Sequence, residues 1–318
     1  MREAQFVNRN KEKWSRMEQP GLLDADTLAA NYVVLSDDLA YARTFYPESQ
    51  VEQYLNGLVG RYQIGIYSRD RRKRRNIWAF WLTDFPLLLH EKRKTLLFAL
   101  LFFGLAVLVG AFSASRDEGF VRLILGDEYV NMTLENIRQG TPMGVYAKGD
   151  ATDMFWAITT NNVKVAFVAF VFGLLFSVGT LWILFTNGVM LGAFHYFFFE
   201  HEMLFHSMLS VWAHGTFEIT SIIIAGGAGL VLGNGFLFPG TYPRGMSFRR
   251  GALQGVKLVV GLVPFFVLAG WIEGFITRYA DAEPAVGVAA ILLSLAGIIG
   301  YFILYPHYLF KNQTHGTN

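Results

Sequence analysis

The sequence contains no cysteine and little charge. Its 318 residues include no Cys, and Asp, Glu, Lys and Arg together make up 16% of them. The absence of cysteine excludes disulfide bonds, iron–sulfur clusters and thiol nucleophiles. The sequence also has no P-loop, no dinucleotide-binding fingerprint and no G-x-S-x-G nucleophile elbow. We therefore assign no catalytic residue, no cofactor and no metal ion, and we favour a protein that is not an enzyme.

Apolar residues dominate the chain and are concentrated in long runs. They account for 53% of the residues. After residue 94 they form runs of about 20 residues, the length that crosses a bilayer. This pattern predicts an all-α polytopic membrane protein with six transmembrane helices. The predicted spans are roughly 95–113, 163–186, 187–201, 210–238, 251–276 and 285–306.

The first 94 residues lack a spanning run and form a separate predicted region. Apolar positions recur at helical spacing on both sides of Tyr46-Pro47, which predicts a helical hairpin. The segment "NIWAFWLTDFPLLLHEKRK" then predicts an interfacial helix with two tryptophans at headgroup level, bent at Pro86 before the chain enters the membrane. The predicted domains are 1–94, a six-span domain at 95–306 and a tail at 307–318.

Basic residues cluster just before the first predicted span. The run "RDRRKRR" contributes Arg69, Arg71, Arg72, Lys73, Arg74 and Arg75. Such clusters mark the cytoplasmic side of a membrane and attract anionic lipid headgroups. Beside a span they favour membrane lipids as partners, not nucleic acid. They also place the N-terminus in the cytoplasm, and six crossings return the C-terminus to the same side. The polar loop at 114–160, where short amphipathic helices are predicted, then faces outward.

Small residues recur at four-residue spacing in the later spans. They are Ala225, Gly229 and Gly233 in the fourth span, and Gly270 and Gly274 in the fifth. This spacing lets helix backbones approach closely in lipid. It predicts tight packing within the chain, and a homodimer face is the alternative.

Three ionisable residues fall inside or at the ends of predicted spans. His214 and Glu218 lie four residues apart, so they share one helix face. Glu273 of the fifth span lies at a similar predicted depth. Such groups should face the bundle interior, because an ionised side chain is costly in lipid. Three interpretations stay open: a hydrogen-bonded knot between helices, a proton- or ion-linked transport site, and a metal site.

Asparagines occur near the second and third predicted spans. Asn161 and Asn162 open the second span, and Asn187-Gly188 separates the second from the third. Asparagine at such positions caps helix ends or satisfies freed backbone groups. With the following "VMLGAF", Asn187 and Gly188 predict a tight helical hairpin.

Several stretches together resemble one family of bacterial membrane proteins. "HGTFEI", "IAGGAGLVLG", a Phe-Pro-Gly turn and the later "WIEGFITR" resemble the stage II sporulation protein M family. "FVNRNKEKWSRMEQ", the paired asparagines and "NGVMLGAF" are similar to the same family, so the resemblance covers nearly the whole chain. "FVRLILGDEYVNMTLENI" is similar to members from the Bacteroidetes group, which do not form endospores.

The resemblance implies a cellular role and no particular chemical reaction. The family's namesake resembles a membrane anchor and scaffold that acts with two cell-wall-degrading partners when the mother cell engulfs the forespore. The matching motifs point to His214, Gly215, Glu218 and Glu273, with Asn161, Asn187 and Gly188 as secondary positions, and imply no reaction for them. This chain is longer than the namesake at its N-terminus, which argues against a sporulation role.

Three functions follow from these observations. The leading hypothesis is a non-enzymatic scaffold that recruits cell-envelope proteins, with a homodimer as a further expectation. The alternative is a transporter or lipid-handling protein that uses the His214, Glu218 and Glu273 cluster, and it requires a cavity that reaches Glu218. The third is an intramembrane hydrolase with a metal-activated water, and it requires about one metal ion per chain.

Overall fold

A computed structural model of the protein describes residues 2–18, 25–72, 77–141, 150–277 and 283–315. Within these ranges the chain forms helices joined by turns and short loops. It divides into two compact units, Met1–Asn76 and Ile77–Asn318. Residues 77–94 therefore belong to the second unit, whereas the sequence analysis groups them with the first.

The first unit contains three helices around a core of its own. They are α1 (Glu3–Arg16), α2 (Ala25–Phe45) and α3 (Gln50–Arg72). α2 and α3 correspond to the predicted hairpin, and its apolar positions Leu35, Leu55 and Tyr62 are fully buried. α1 was not predicted. It adds the buried side chain of Trp14, whose Nε1 donates a hydrogen bond of 2.8 Å to Asp38 Oδ2.

The predicted basic cluster falls at the end of the first unit. Arg69, Arg71 and Arg72 lie in the last turns of α3. Lys73, Arg74 and Arg75 lie outside the described residues.

Among its described residues, the second unit contains six helices that are long and apolar enough to cross a membrane, which confirms the predicted number. Two short helices, α5 (Glu118–Leu125) and α6 (Asp127–Arg138), lie between the first and second of them, as the polar loop predicts. The six are α4 (Ile77–Ala114), α7 (Ala151–Leu174), α8 (Val178–Glu200), α9 (Leu204–Leu237), α10 (Arg244–Thr277) and α11 (Pro284–Asn312).

The predicted turn between the second and third spans is wrong. The chain reverses between α7 and α8 at residues 175–177, where Phe176 and Ser177 have φ values of 53° and 67°. Asn187 and Gly188 lie inside α8, and Asn161 and Asn162 lie near the middle of α7. An apolar run hides a reversal of this kind, because its left-handed residues are not the glycine or asparagine that usually adopt such angles.

The predicted interfacial helix is not a separate element. Residues 77–94 are the first part of α4 and contain a π-helical turn at Phe80–Asp84, which joins Ile77–Ala79 to the α-helical segment Phe85–Ala114. Pro86 directly follows this π-helical turn inside the continuous helix, where it has no N–H to donate to the Leu82 carbonyl four residues earlier. The segment also bonds to other spans, since the Tyr305 hydroxyl donates to the Leu82 carbonyl at 2.8 Å.

α9 lies at the centre of the second unit, and small residues let its neighbours approach. A Cβ atom on Gly229 would collide with the Thr180 hydroxyl and the Ala169 carbonyl, and one on Gly233 would collide with Ser177. Ala225 is fully buried on the same helix. On α10, Gly270 packs against Thr159, and Gly274 packs against the Ala151 carbonyl. Both sets of small residues therefore bring helices of the same chain together.

Candidate functional site

A cavity of about 620 Å³ lies between α7, α8, α9 and α10. Ile124 and Leu125 of α5 and Tyr129 of α6 also line it. Its wall is mostly apolar, and its polar lining residues come from four different helices. They are Asn161, Asn162, Asn187, His214, Glu218 and Glu273.

The sequence-predicted residues are distributed around this cavity. Gly215 also lines it, and the nearest atoms to a Cβ on Gly215 would be Val211 Cγ1 at 3.4 Å and Ile219 Cδ1 at 3.7 Å. Gly188 is different, because it faces α4, where a Cβ would meet Ala106 and the Phe103 carbonyl. The predicted polar positions are thus gathered around one space, while Gly188 serves the contact between α8 and α4.

His214 is the buried centre of the polar groups. It shares one face of α9 with Glu218, four residues later. Its Nε2 lies 3.5 Å from Glu273 Oε2, and both side chains are less than one tenth exposed. Glu273 opens a π-helical turn, Glu273–Thr277, at the end of α10. Turns of this type are frequent at functional sites, because the extra residue redirects side chains.

A short hydrogen-bond chain fixes the orientation of the His214 ring. The Thr277 hydroxyl donates to the Ile272 carbonyl at 3.4 Å, and His214 Nδ1 lies 3.1 Å from Thr277 Oγ1. Because the hydroxyl proton is used on the carbonyl, Oγ1 accepts from Nδ1–H. In the neutral ring, Nε2 then carries a lone pair that faces Glu273. We assign this tautomer from the network of partners.

Glu218 has a partner on a third helix. Asn162 Nδ2 donates a hydrogen bond of 2.7 Å to Glu218 Oε1. This contact joins α7 to α9. The other carboxylate oxygen of Glu218, Oε2, takes no part in it. Asn187 also lines the cavity, but its amide donates to the Ile183 carbonyl of its own helix at 2.8 Å.

The electrostatics of the cluster are unusual for a membrane interior. Single ligand-type atoms of His214, Glu218 and Glu273 all lie within 4.8 Å of one another. Among the described residues that line the cavity, none is lysine or arginine. Two ionised carboxylates this close repel each other where water is scarce. Either one of them carries a proton, or a cation lies between them. The arrangement can therefore exchange a proton or hold a positively charged species.

Sequence reasoning missed two polar residues near the cluster. Thr277 follows Glu273 by four residues, and that spacing was the available signal. Tyr129 lines the cavity from α6, and burial raises the pKa of its phenol above the usual value, so the hydroxyl keeps its proton. Nothing in the sequence marks Tyr129, because its position depends on how α6 packs against the spans.

The fold and the cavity define the class of protein. It is a polytopic helical membrane protein with a mostly apolar cavity that contains a cluster of polar side chains. The family model described as Stage II sporulation protein M matches residues 99–278, more than half of the chain. The chain therefore belongs to the stage II sporulation protein M family, which confirms the resemblance found in its motifs. The matched range includes all of the polar residues that line the cavity.

A second family model matches the first unit. It is described as Domain of unknown function (DUF8413) and covers residues 4–68. No curated protein and no solved structure matches the chain. The comparisons therefore show the family of the chain, and a second family model matches most of its N-terminal unit.

Proposed function

We propose that this protein binds an amphiphilic, lipid-like molecule in the cavity between α7 and α10, as a transporter or lipid-handling protein of the membrane. The observation that carries this proposal is the open space beside His214, Glu218 and Glu273, about 620 Å³. A volume of this size is typical of sites for small molecules. A polar cluster that served only to join helices needs no such space.

The lining supports an amphiphile over a fully polar solute. Carboxylates, imidazole and amides offer hydrogen-bond partners for a polar head, and they stand close together on α7, α9 and α10. Phe103, Leu191 and Phe194 are among the apolar residues that complete the wall, and they suit a hydrocarbon chain. Burial of both parts in one cavity avoids leaving a polar head in hydrocarbon.

The test is native mass spectrometry of the full-length protein released from its own membrane in a mild detergent. We expect about one retained amphiphile per chain, and about tenfold less with Glu218→Gln, because the amide cannot provide the carboxylate's charge. Glu200→Gln is the matched control, since Glu200 is exposed at the end of α8. A wild type without a retained amphiphile, or equal retention in Glu218→Gln, would contradict the proposal.

A second candidate function is scaffolding of cell-envelope proteins. It is supported by the N-terminal unit, which has its own buried core and a family match separate from that of the membrane unit. Val33 and Phe45 of this unit are 57% and 59% exposed. Exposed apolar side chains of this size suit contacts with a partner protein. We also propose a bacterial inner-membrane location with both termini in the cytoplasm, which the basic clusters support.

Cross-linking in the membrane, pull-down and mass spectrometry distinguish the two functions. The experiment compares wild type, Glu218→Gln and Phe45→Glu. Scaffolding predicts the same partners with wild type and Glu218→Gln, and loss of partners with Phe45→Glu. If only copies of this chain are captured, the result supports a homodimer and contradicts the recruitment of other proteins.

A further inference from the structure

We propose that His214, Glu218 and Glu273 bind one divalent transition-metal ion of the zinc class at the polar end of the cavity. The sequence analysis left a metal site as one of three open interpretations of these residues, and the geometry of their side chains now favours it. The inference adds to the proposed function without requiring it, because metal binding is measured with no amphiphile present.

The first argument is the spacing of the ligand atoms. His214 Nε2 and Glu273 Oε2 are 3.5 Å apart, which is longer than an ordinary hydrogen bond. Two ligands bound to the same tetrahedral zinc ion at about 2.0–2.1 Å lie about 3.3 Å apart. The atoms of all three residues lie within 4.8 Å, so small side-chain rotations bring Glu218 to the same distance. The distance between His214 and Glu273 is close to that of two ligands on one ion, and Glu218 would rotate towards them to complete the set.

The second argument is that the candidate ligands are already oriented by other groups. Thr277 Oγ1 lies 3.1 Å from His214 Nδ1, and His214 Nε2 faces Glu273 Oε2 at 3.5 Å. Asn162 holds Glu218 Oε1 at 2.7 Å, which leaves the other oxygen for an ion. Metal-binding histidines and carboxylates in proteins have such partners, which fix the tautomer and the direction of the ligand.

The third argument is charge. Among the described residues that line the cavity, the two carboxylates face no lysine or arginine. A divalent cation neutralises both carboxylates at once, and buried charges are normally paired or bound to a metal. The alternative is that the residues of the cluster share a proton, and the protein would then contain no metal ion at this site.

The donor set also indicates which ion would bind. One imidazole nitrogen and two carboxylates are ligands of zinc and of similar divalent metals, and the chain has no cysteine for softer ions. Three protein ligands leave a fourth position. All three residues line the cavity, so the fourth ligand must come from that space. This is the arrangement of zinc sites that bind water or substrate, not of purely structural zinc sites.

The experiment measures metal content on the full-length protein, purified in detergent through an affinity tag that contains no histidine. The protein is stripped with a chelator, incubated with Zn²⁺, desalted and analysed by inductively coupled plasma mass spectrometry. We expect about one ion per chain in the wild type and less than about one tenth in His214→Gln, Glu218→Gln and Glu273→Gln. Thr277→Val should weaken binding by up to about tenfold, because it removes one of the groups that orient the His214 ring.

The matched control is the double variant Glu200→Gln, His206→Gln. It removes an exposed carboxylate and an exposed imidazole at the junction of α8 and α9, so it reports binding to the protein surface. The control should keep about one ion per chain. A wild type with less than about one tenth of an ion, or an equal metal content in the three cluster variants and the wild type, would overturn the proposal.

Two measurements on the wild type keep the test decisive if a cluster variant does not fold. Zn²⁺ should raise the melting temperature of the chelator-treated protein, because an ion that binds only the folded state stabilises it. Co²⁺ in place of Zn²⁺ should give the visible absorption of a four- or five-coordinate ion. The absence of both signals would also overturn the proposal. If the ion binds and no amphiphile is retained, only the proposed function fails. If the protein retains an amphiphile but binds no ion, only the metal proposal fails.

Discussion

Of the two transmembrane helices α9 and α11, the more apolar helix is the less buried one. α11 has the higher mean hydropathy, yet only 17% of its most apolar stretch is buried by the rest of the chain. α9 has the lower mean hydropathy, and the corresponding figure is 72%. In water the more apolar helix would be expected inside. In a membrane, lipid accepts the apolar helix, and small or polar residues mark the helix that other helices surround.

The largest expected effect tests the packing on α9. Gly229→Leu places a side chain where even a Cβ atom would collide with Thr180 and with the Ala169 carbonyl. We expect a loss of about 3 kcal/mol or more in the free energy of unfolding, and a lower melting temperature in detergent. The matched change on α11 is Gly300→Leu, because a Cβ atom on Gly300 would meet nothing within 4 Å. Equal melting temperatures for the two variants would remove the distinction between a central and a peripheral helix.

The next effect tests whether α11 faces lipid. Leu293 is 73% exposed on this helix. Leu293→Asp presents a carboxylate to hydrocarbon at a cost of about 2–3 kcal/mol, so α11 should insert less completely in a membrane-insertion assay. Leu293→Ile is the control and should insert like the wild type. Full insertion and normal stability of Leu293→Asp would instead indicate that another protein, such as a second copy of this chain, covers this face.

A smaller effect tests the polar contact that α9 makes with α7. Asn162→Leu removes the donor to Glu218 and leaves that carboxylate without this bond, which should cost about 1–3 kcal/mol. Asn187→Leu is the comparison, because the Asn187 amide bonds only within its own helix in the described network. We expect its cost to be smaller. The measurement is the free energy of unfolding in a denaturing detergent.

A double-mutant cycle assigns this cost to the pair. The variants are Asn162→Leu, Glu218→Leu and both together, because leucine removes the acceptor that glutamine would keep. Coupling well above the experimental error indicates a direct interaction between the two side chains. Additive effects would mean that the two residues act separately, and the polar contact between α7 and α9 would not contribute to stability.

The sequence predicted the elements far better than the contacts between them. Runs of apolar residues reveal the number of spans, because crossing a bilayer requires a fixed length of helix. The same runs hid the reversal, since the two residues with left-handed backbone angles are Phe176 and Ser177, not glycine or asparagine, and no proline or charge lies beside them. Helical spacing placed His214 and Glu218 on one face in advance. The bond from Asn162, and Tyr129 in the wall, depend on the packing of distant segments, which a single sequence does not encode in any local pattern.

The smallest expected effect concerns the one polar contact described between the peripheral helix and the central one. Ser294 of α11 is buried, and its hydroxyl donates a hydrogen bond of 2.9 Å to the Ala213 carbonyl of α9. Ser294→Ala should lower the free energy of unfolding by about 0.6 kcal/mol, the usual value for a hydrogen bond between membrane helices. Ser207→Ala is the control, because Ser207 bonds to the Leu204 carbonyl within α9. A loss several times larger for Ser294→Ala would mean that polar contacts, and not lipid, decide where α11 lies, and the contrast between the two helices would then need a different cause.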